Sequence, residues 1–241
     1  FGIGQAQTLL GAKDKALDAY TQSLKINPKN ADAAYYSGEL KFQNKDYKGA
    51  ENDFSTAIAV NPKYAEAFND RGSCRVELKD YKGAEEDYQK SLDINKSAYT
   101  YNNLGSAQRK AGDLNSALDS YNSAIALKSD YYIAYNNRGS AKFDKKEYQD
   151  AIDDFSKAID LNSKYAFAYN NRAAAEFKMK DYLKARNDCD KAIELNPSYG
   201  FAYLNRGIAK EMLRDNTACN DWQKAADLGV ASAKQYYQDC K

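Results

Sequence analysis

The chain contains four cysteines and no histidine, which narrows the chemistry open to it. Histidine is the commonest general base at neutral pH and the commonest metal ligand. Without it, catalysis would have to rest on paired carboxylates or a Ser–Lys couple. Adjacent acids such as Asp153 and Asp154 come nearest to such a pair, and their helical setting reads as a solvated face. Cys74, Cys189, Cys219 and Cys240 are too widely spaced for a zinc cluster. The glycines never cluster into a phosphate-binding loop. Neither catalysis, nor a metal, nor a cofactor is expected. The side chains left with something to offer are amides. Asn69, Asn102, Asn136 and Asn170 form one column, and Asn103, Asn137, Asn171 and Asn205 form a second beside it. A carboxamide donates to and accepts from one peptide group at once, so such a ladder suits an extended polypeptide backbone.

The elements that position these columns repeat with the same period. Gly38, Gly72, Gly105, Gly139, Ala173 and Gly207 follow one another at steps of 34, 33, 34, 34 and 34 residues. Ala50, Ala84, Ala117, Ala151, Ala185 and Ala218 make a second small series, and Ala57, Ser91, Ala124, Ala158, Ala192 and Ala225 a third. Three series in phase define a helix–turn–helix unit. Tyr135 and Gly139 share a face of one first helix. Ala151, Phe155, Ala158 and Ile159 share a face of the second. Small residues let the backbones approach while aromatic rings fill the gaps. The segment from Lys145 to Tyr148 is the tight turn, and Asn162 and Asn196 close second helices. Cys189 stands where Tyr121 and Phe155 stand in other copies, as a buried, inert thiol, and Trp222 takes the aromatic place in the last. The pattern predicts a partial first repeat over 1–29, six repeats over 30–229 and a capping helix over 230–241. That makes about fifteen helices and no strand in a single array.

The residues Tyr135, Gly139, Tyr148, Ala151, Phe155 and Ala158, recurring as Phe68, Gly72, Tyr81, Ala84, Tyr88 and Ser91, resemble the tetratricopeptide repeat family over nearly the whole chain. The resemblance implies an all-α, right-handed superhelical solenoid of antiparallel helix pairs, whose concave face binds a protein or an extended peptide. Its ligand-facing positions fall on the asparagine columns, on Phe143 and Phe177, and on an apolar track of Tyr99, Ile133, Phe167 and Phe201. The ladder is similar to that lining the superhelix of O-linked N-acetylglucosamine transferases. Asp32, Glu39, Glu66 and Glu211 occupy the same face and would repel phosphates, so no nucleic acid is expected. The basic clamp with which some family members grip a chaperone's terminal carboxylate is absent as a set. A competing reading has the asparagines capping or bridging neighbouring helices and the tyrosines packing. A second functional reading is a structural module of a larger protein or envelope assembly. It would associate end to end through the helix that opens abruptly at Phe1.

Cys219 lies early in the last second helix and Cys240 near the end of the cap. Packed antiparallel helices could join them in a disulfide that staples the cap and implies an oxidising compartment. The alternative is two free, buried thiols. The ending from Cys219 through Trp222 to Gly229, closed by Cys240, resembles the last unit of secreted or surface-associated repeat proteins of Bacteroidetes-type bacteria. A bond would therefore favour the periplasm or the cell surface. The formal net charge is +1, from 35 basic and 34 acidic residues, which gives no reason to expect a polyanionic partner. No apolar run approaches the roughly eighteen residues of a membrane span, so no membrane insertion is expected.

Overall fold

The computed structural model describes residues 1–238 and Cys240. The described residues form fifteen helices and no strand, as the period predicts. They fall into two compact units, Phe1–Leu127 and Lys128–Lys241. The first holds α1 (Gly2–Leu9), α2 (Lys13–Ile26), α3 (Ala31–Gln43), α4 (Tyr47–Val60), α5 (Ala65–Glu77), α6 (Tyr81–Ile94), α7 (Ala98–Ala111) and α8 (Leu114–Leu127). The second holds α9 (Tyr132–Asp144), α10 (Tyr148–Leu161), α11 (Ala166–Lys178), α12 (Tyr182–Leu195), α13 (Gly200–Met212), α14 (Ala218–Asp227) and α15 (Ala233–Gln238). Within each unit consecutive helices pack in antiparallel pairs, and the first helices of adjacent pairs touch as well. Among the described residues, the cap expected over 230–241 is helical in α15. Two of its positions, 239 and 241, lie outside the described residues.

Two residue choices recur in the turns within pairs. Lys45, Lys79, Lys146, Lys180 and Arg214 take left-handed backbone, with φ between 60° and 66°. Gly112 stands at the same place in the third full repeat, where φ is 93° and the missing Cβ makes that conformation cheap. Asp46, Asp80, Asp113 and Asp181 come next. Their carboxylates accept from the backbone N–H groups of Gly49, Gly83, Ser116 and Lys184, capping or starting the following helix. After the second helices, the Oδ1 atoms of Asn27, Asn61, Asn162 and Asn196 accept from the N–H two residues on. This local turn directs the chain into the next pair.

The glycine series exists because aromatic rings lie against it. A Cβ on Gly38, Gly105 or Gly139 would stand 2.8 Å from a ring carbon of Phe54, Tyr121 or Phe155. One repeat resolves the conflict the other way. Ala173 supplies a Cβ where others have none, and Cys189 replaces the ring, with both residues buried. Burial also pushes the Cys189 thiol above its ordinary pKa, which fits an inert role. Cys189→Phe alone is expected to overpack this site and cost about 1–3 kcal/mol. Adding Ala173→Gly should recover most of that loss. Urea midpoints for both single variants and the double variant check it, and strictly additive costs would refute the steric coupling.

The acids of the second helices need a correction. Asp153 is exposed, but Asp154 is only 4 % exposed and is no part of a solvated face. Arg138, just before Gly139, donates from Nε (2.9 Å) and Nη2 (2.6 Å) to its two oxygens, and Lys142 adds an ion pair at 2.8 Å. The same fork joins Arg71 to Asp87, Arg172 to Asp188 and Arg206 to Asp221. These arginines also reach back to the preceding second helix, at Ser55, Ser156 and Asp190. Each guanidinium lies over the ring three residues earlier, of Phe68, Tyr135, Tyr169 or Tyr203, at 5.3–5.7 Å. Pairing rather than solvation is what makes the buried carboxylates tolerable.

Candidate ligand-binding face

The first helices carry the residues expected to meet a ligand. In the first unit, Asn103 Nδ2 on α7 donates to Asn69 Oδ1 on α5 at 3.2 Å, and Asn69 Nδ2 donates to Asp70. Asn102 is buried and Tyr99 is exposed. In the second unit, Asn171 Nδ2 on α11 donates to Asn136 Oδ1 on α9 at 2.9 Å. Asn205 Nδ2 on α13 repeats the contact with Asn170 Oδ1 at 2.9 Å. Asn136 Nδ2 reaches Asn137 Oδ1, and Asn170 Nδ2 reaches the Tyr199 hydroxyl. The two columns therefore form rungs between adjacent first helices, with Asn136 and Asn170 buried beneath. Asn171 and Asn205 each commit one N–H to a rung, which leaves Oδ1 and a second N–H at the half-buried outer edge.

The apolar positions behave differently. Phe167 is 48 % exposed and Phe201 55 %, large rings left in solvent one repeat apart. Phe167 rests against Tyr199 and Tyr165, with ring centroids at 4.9 and 5.6 Å. Ile133 is half-buried. Phe143 and Phe177 lean on Tyr148 and Tyr182, each pair at 5.3 Å. Their other edges line a pocket of about 370 Å³ together with Ala174, Asn205, Ile208 and Tyr236.

The first unit holds an acidic counterpart that the amide columns concealed. Asp70 takes the place in the second column that Asn103 takes one repeat later, and that break in the column was the available signal. Tyr35 donates its hydroxyl to Asp70 at 2.7 Å, and Glu39 Oε1 lies 3.3 Å from the same hydroxyl oxygen. Both carboxyls lie above the ordinary range, chiefly through burial, and Asp70 raises Glu39 further. Phe42 and Phe54 complete a small pocket beside them. At the far end of the second unit, Cys219 and Cys240 are bonded, with Cα atoms 5.9 Å apart. Cys74 and Cys189 are free and buried. A bonded pair of this kind is consistent with an oxidising, non-cytoplasmic setting. No group of three or more metal-ligating side chains occurs among the described residues, and no helix is long and apolar enough to cross a membrane.

Tetratricopeptide repeat family models match residues 10–54, 63–130, 132–165 and 166–199. No curated protein sequence matches the chain. Among solved structures, a chain of the APC/C hetero-tetramer Cut9–Hcn1 is similar with a TM-score of 0.80 at 17 % identity, over 98 % of this chain and 48 % of its own. The present chain thus spans about half the length of that relative. A tetratricopeptide repeat protein from Parabacteroides merdae ATCC 43184 also gives 0.80 at 17 % identity, over 98 % of this chain and 94 % of its own. The MamA protein gives 0.58 at 30 % identity, over 70 % of this chain and 94 % of its own.

Proposed function

Because the chain belongs to the tetratricopeptide repeat family, we propose that its first helices bind an extended peptide segment of a partner protein. The observation that carries this reading is the exposure of Phe167 and Phe201 on successive first helices. Large rings left in water beside half-committed amides are the composition of a contact surface. In the second unit the ligand would lie over Ile133, Phe167 and Phe201, with Phe143 and Phe177 in the adjoining pocket. Asn137, Asn171 and Asn205 would meet its backbone, held in place by Asn136 and Asn170. Tyr99, Asn69, Asn102 and Asn103 are the corresponding positions of the first unit, where Asp32, Glu39, Glu66 and Asp70 favour a basic segment. An oxidising setting, the periplasm or the cell surface, accommodates the cysteine bond.

Phe167→Ser with Phe201→Ser tests the reading best, because exposed side chains can change with little cost to folding. Buried Asn170 would confound binding with stability. Affinity capture with the double-serine variant should recover partners of the wild-type chain at least about tenfold less well. An unchanged partner set, with the helical signal intact, would refute the proposed face. End-to-end association of copies of the chain is the alternative outcome. Sedimentation across a concentration series separates the two.

A further inference from the structure

The pocket at Phe143 and Phe177 has one wall of different origin. Phe143, Ala174, Phe177, Asn205 and Ile208 come from α9, α11 and α13, whereas Tyr236 comes from α15. That helix has six residues and buries only Ala233, far short of the length at which a helix persists by itself. Its non-covalent hold includes the packing of Ala233 and Tyr237 against the cluster of Val230 and Trp222, and the contact between the Tyr236 and Trp222 rings at 5.3 Å. Its covalent hold is the bond from Cys240, just past its end, to Cys219 at the start of α14. The bond is within reach of solvent. Cys219 and Cys240 are half-buried and line a second pocket of about 290 Å³ with Glu211, Arg214 and Trp222.

We propose that the Cys219–Cys240 disulfide gates the Phe143–Phe177 pocket, a subsite for an apolar side chain of the bound peptide, by holding Tyr236 in its wall. The inference rests on the peptide-binding reading above. Its occupant follows from the walls, where three rings, Ile208 and two alanines outnumber Asn205 and Lys178, and from a volume at the small end of ligand pockets, roughly 300–1,000 Å³. Opening needs a dithiol reductant. One of its thiolates attacks a protein sulfur, breaking the S–S bond and forming a mixed disulfide; its second thiolate then displaces the protein sulfur. Two electrons pass to the protein, Cys219 and Cys240 take up two protons, and the reductant leaves as its own disulfide. Cys74 and Cys189 take no part. Both are buried, and burial pushes the Cys74 thiol up to about 12.

The test uses peptides selected from a random dodecamer library on the oxidised protein, titrated against oxidised and dithiothreitol-reduced chain. Reduction should weaken binding about tenfold, as removal of a buried aromatic contact does, and Cys219→Ser with Cys240→Ser should weaken it equally. Tyr236→Ala should bind like the reduced protein and stop responding to dithiothreitol. The chain has one tryptophan, so a red shift of Trp222 emission on reduction reports the departure of α15 without any variant. Equal affinity in both redox states, with Phe177→Ala still weakening binding, would overturn the gate and leave the peptide face standing. Peptides indifferent to Phe143→Ala and Phe177→Ala would overturn the subsite and the gate with it.

Discussion

Replacing Asp154 with alanine is expected to destabilise the second unit by about 3 kcal/mol, the low end for breaking a buried ion pair, because its two cations are partly exposed. The loss leaves Arg138 without both bonds of its fork and Lys142 without its ion pair. Both side chains are only about one-fifth exposed, so water compensates for them in part. The third full repeat shows how the network can be removed without that penalty. There Leu104 stands where Arg138 would, Ser120 replaces the aspartate and Gln108 replaces the lysine. Ser120 donates to Gln108 Oε1 at 2.7 Å, so the exchange leaves no charge buried. Arg138→Leu, Lys142→Gln and Asp154→Ser together should therefore cost less than Asp154→Ala alone, although three residues change instead of one. Asp153→Ala, on the exposed side, should stay within about 0.5 kcal/mol of wild type. Urea denaturation followed by circular dichroism ranks the four proteins. A triple variant weaker than Asp154→Ala would show that the arginine fork contributes more than the absence of stranded charge.

That comparison also shows how far the sequence could be read. Small residues at a fixed period leave little room for anything but close helix pairs, and Gly139 against Phe155 is the kind of contact they exist to make. Ala173 and Cys189 could be seen to depart from their columns, but only the ring-to-Cβ distance shows that they depart together. Asp154 was misplaced because an aspartate directly after another aspartate carries no mark of burial. Its signal lay in a second column, Arg71, Arg138, Arg172 and Arg206, each one residue before the small residue of its repeat and in phase with the aspartates of the following helix. The asparagines were ambiguous for a chemical reason, since one amide can bridge helices and face a ligand at once. Asn171 bridges α9 and α11, and the proposed reading gives it the second role as well. The redox state of Cys219 and Cys240 depended on where the chain turns after Gly229, which spacing alone does not determine.

Lowering the pH from about 8 to about 5 is expected to strengthen the second unit through Glu176. In four other repeats the residue three after the glycine is a cation, Lys41, Arg75, Lys142 or Lys210, ion-paired with an aspartate of the second helix. Glu176 puts a carboxyl there, facing Asp188 instead of neutralising it. It is 6 % exposed, and its Oε2 has no hydrogen-bond partner. Burial first and Asp188 second push it from the ordinary glutamate value near 4.5 up to about 7. Asp181 adds to the rise, while Arg172 on its own helix and Lys184 on α12 oppose it. The folded chain therefore holds this proton more tightly than the unfolded chain does. Between those two values unfolding releases the proton, so the stabilisation is fully present at the acid end and lost as the pH passes about 7. The difference is on the order of 3 kcal/mol. Glu176→Gln keeps the shape and removes the titration, and carboxylates common to both proteins cancel in the comparison. The two should have similar urea midpoints near pH 5, with the glutamine variant more stable by on the order of 3 kcal/mol near pH 8. Glu176→Lys should gain stability above neutral pH as well, because its ammonium would meet Asp188 as Lys142 meets Asp154. Coincident midpoints for wild type and Glu176→Gln near pH 8 would mean that the carboxylate finds water or a cation on folding. The inter-helix seam of α11 and α12 would then be looser than its neighbours, and the face that Phe177 shares with it would be the more adaptable part of the binding surface.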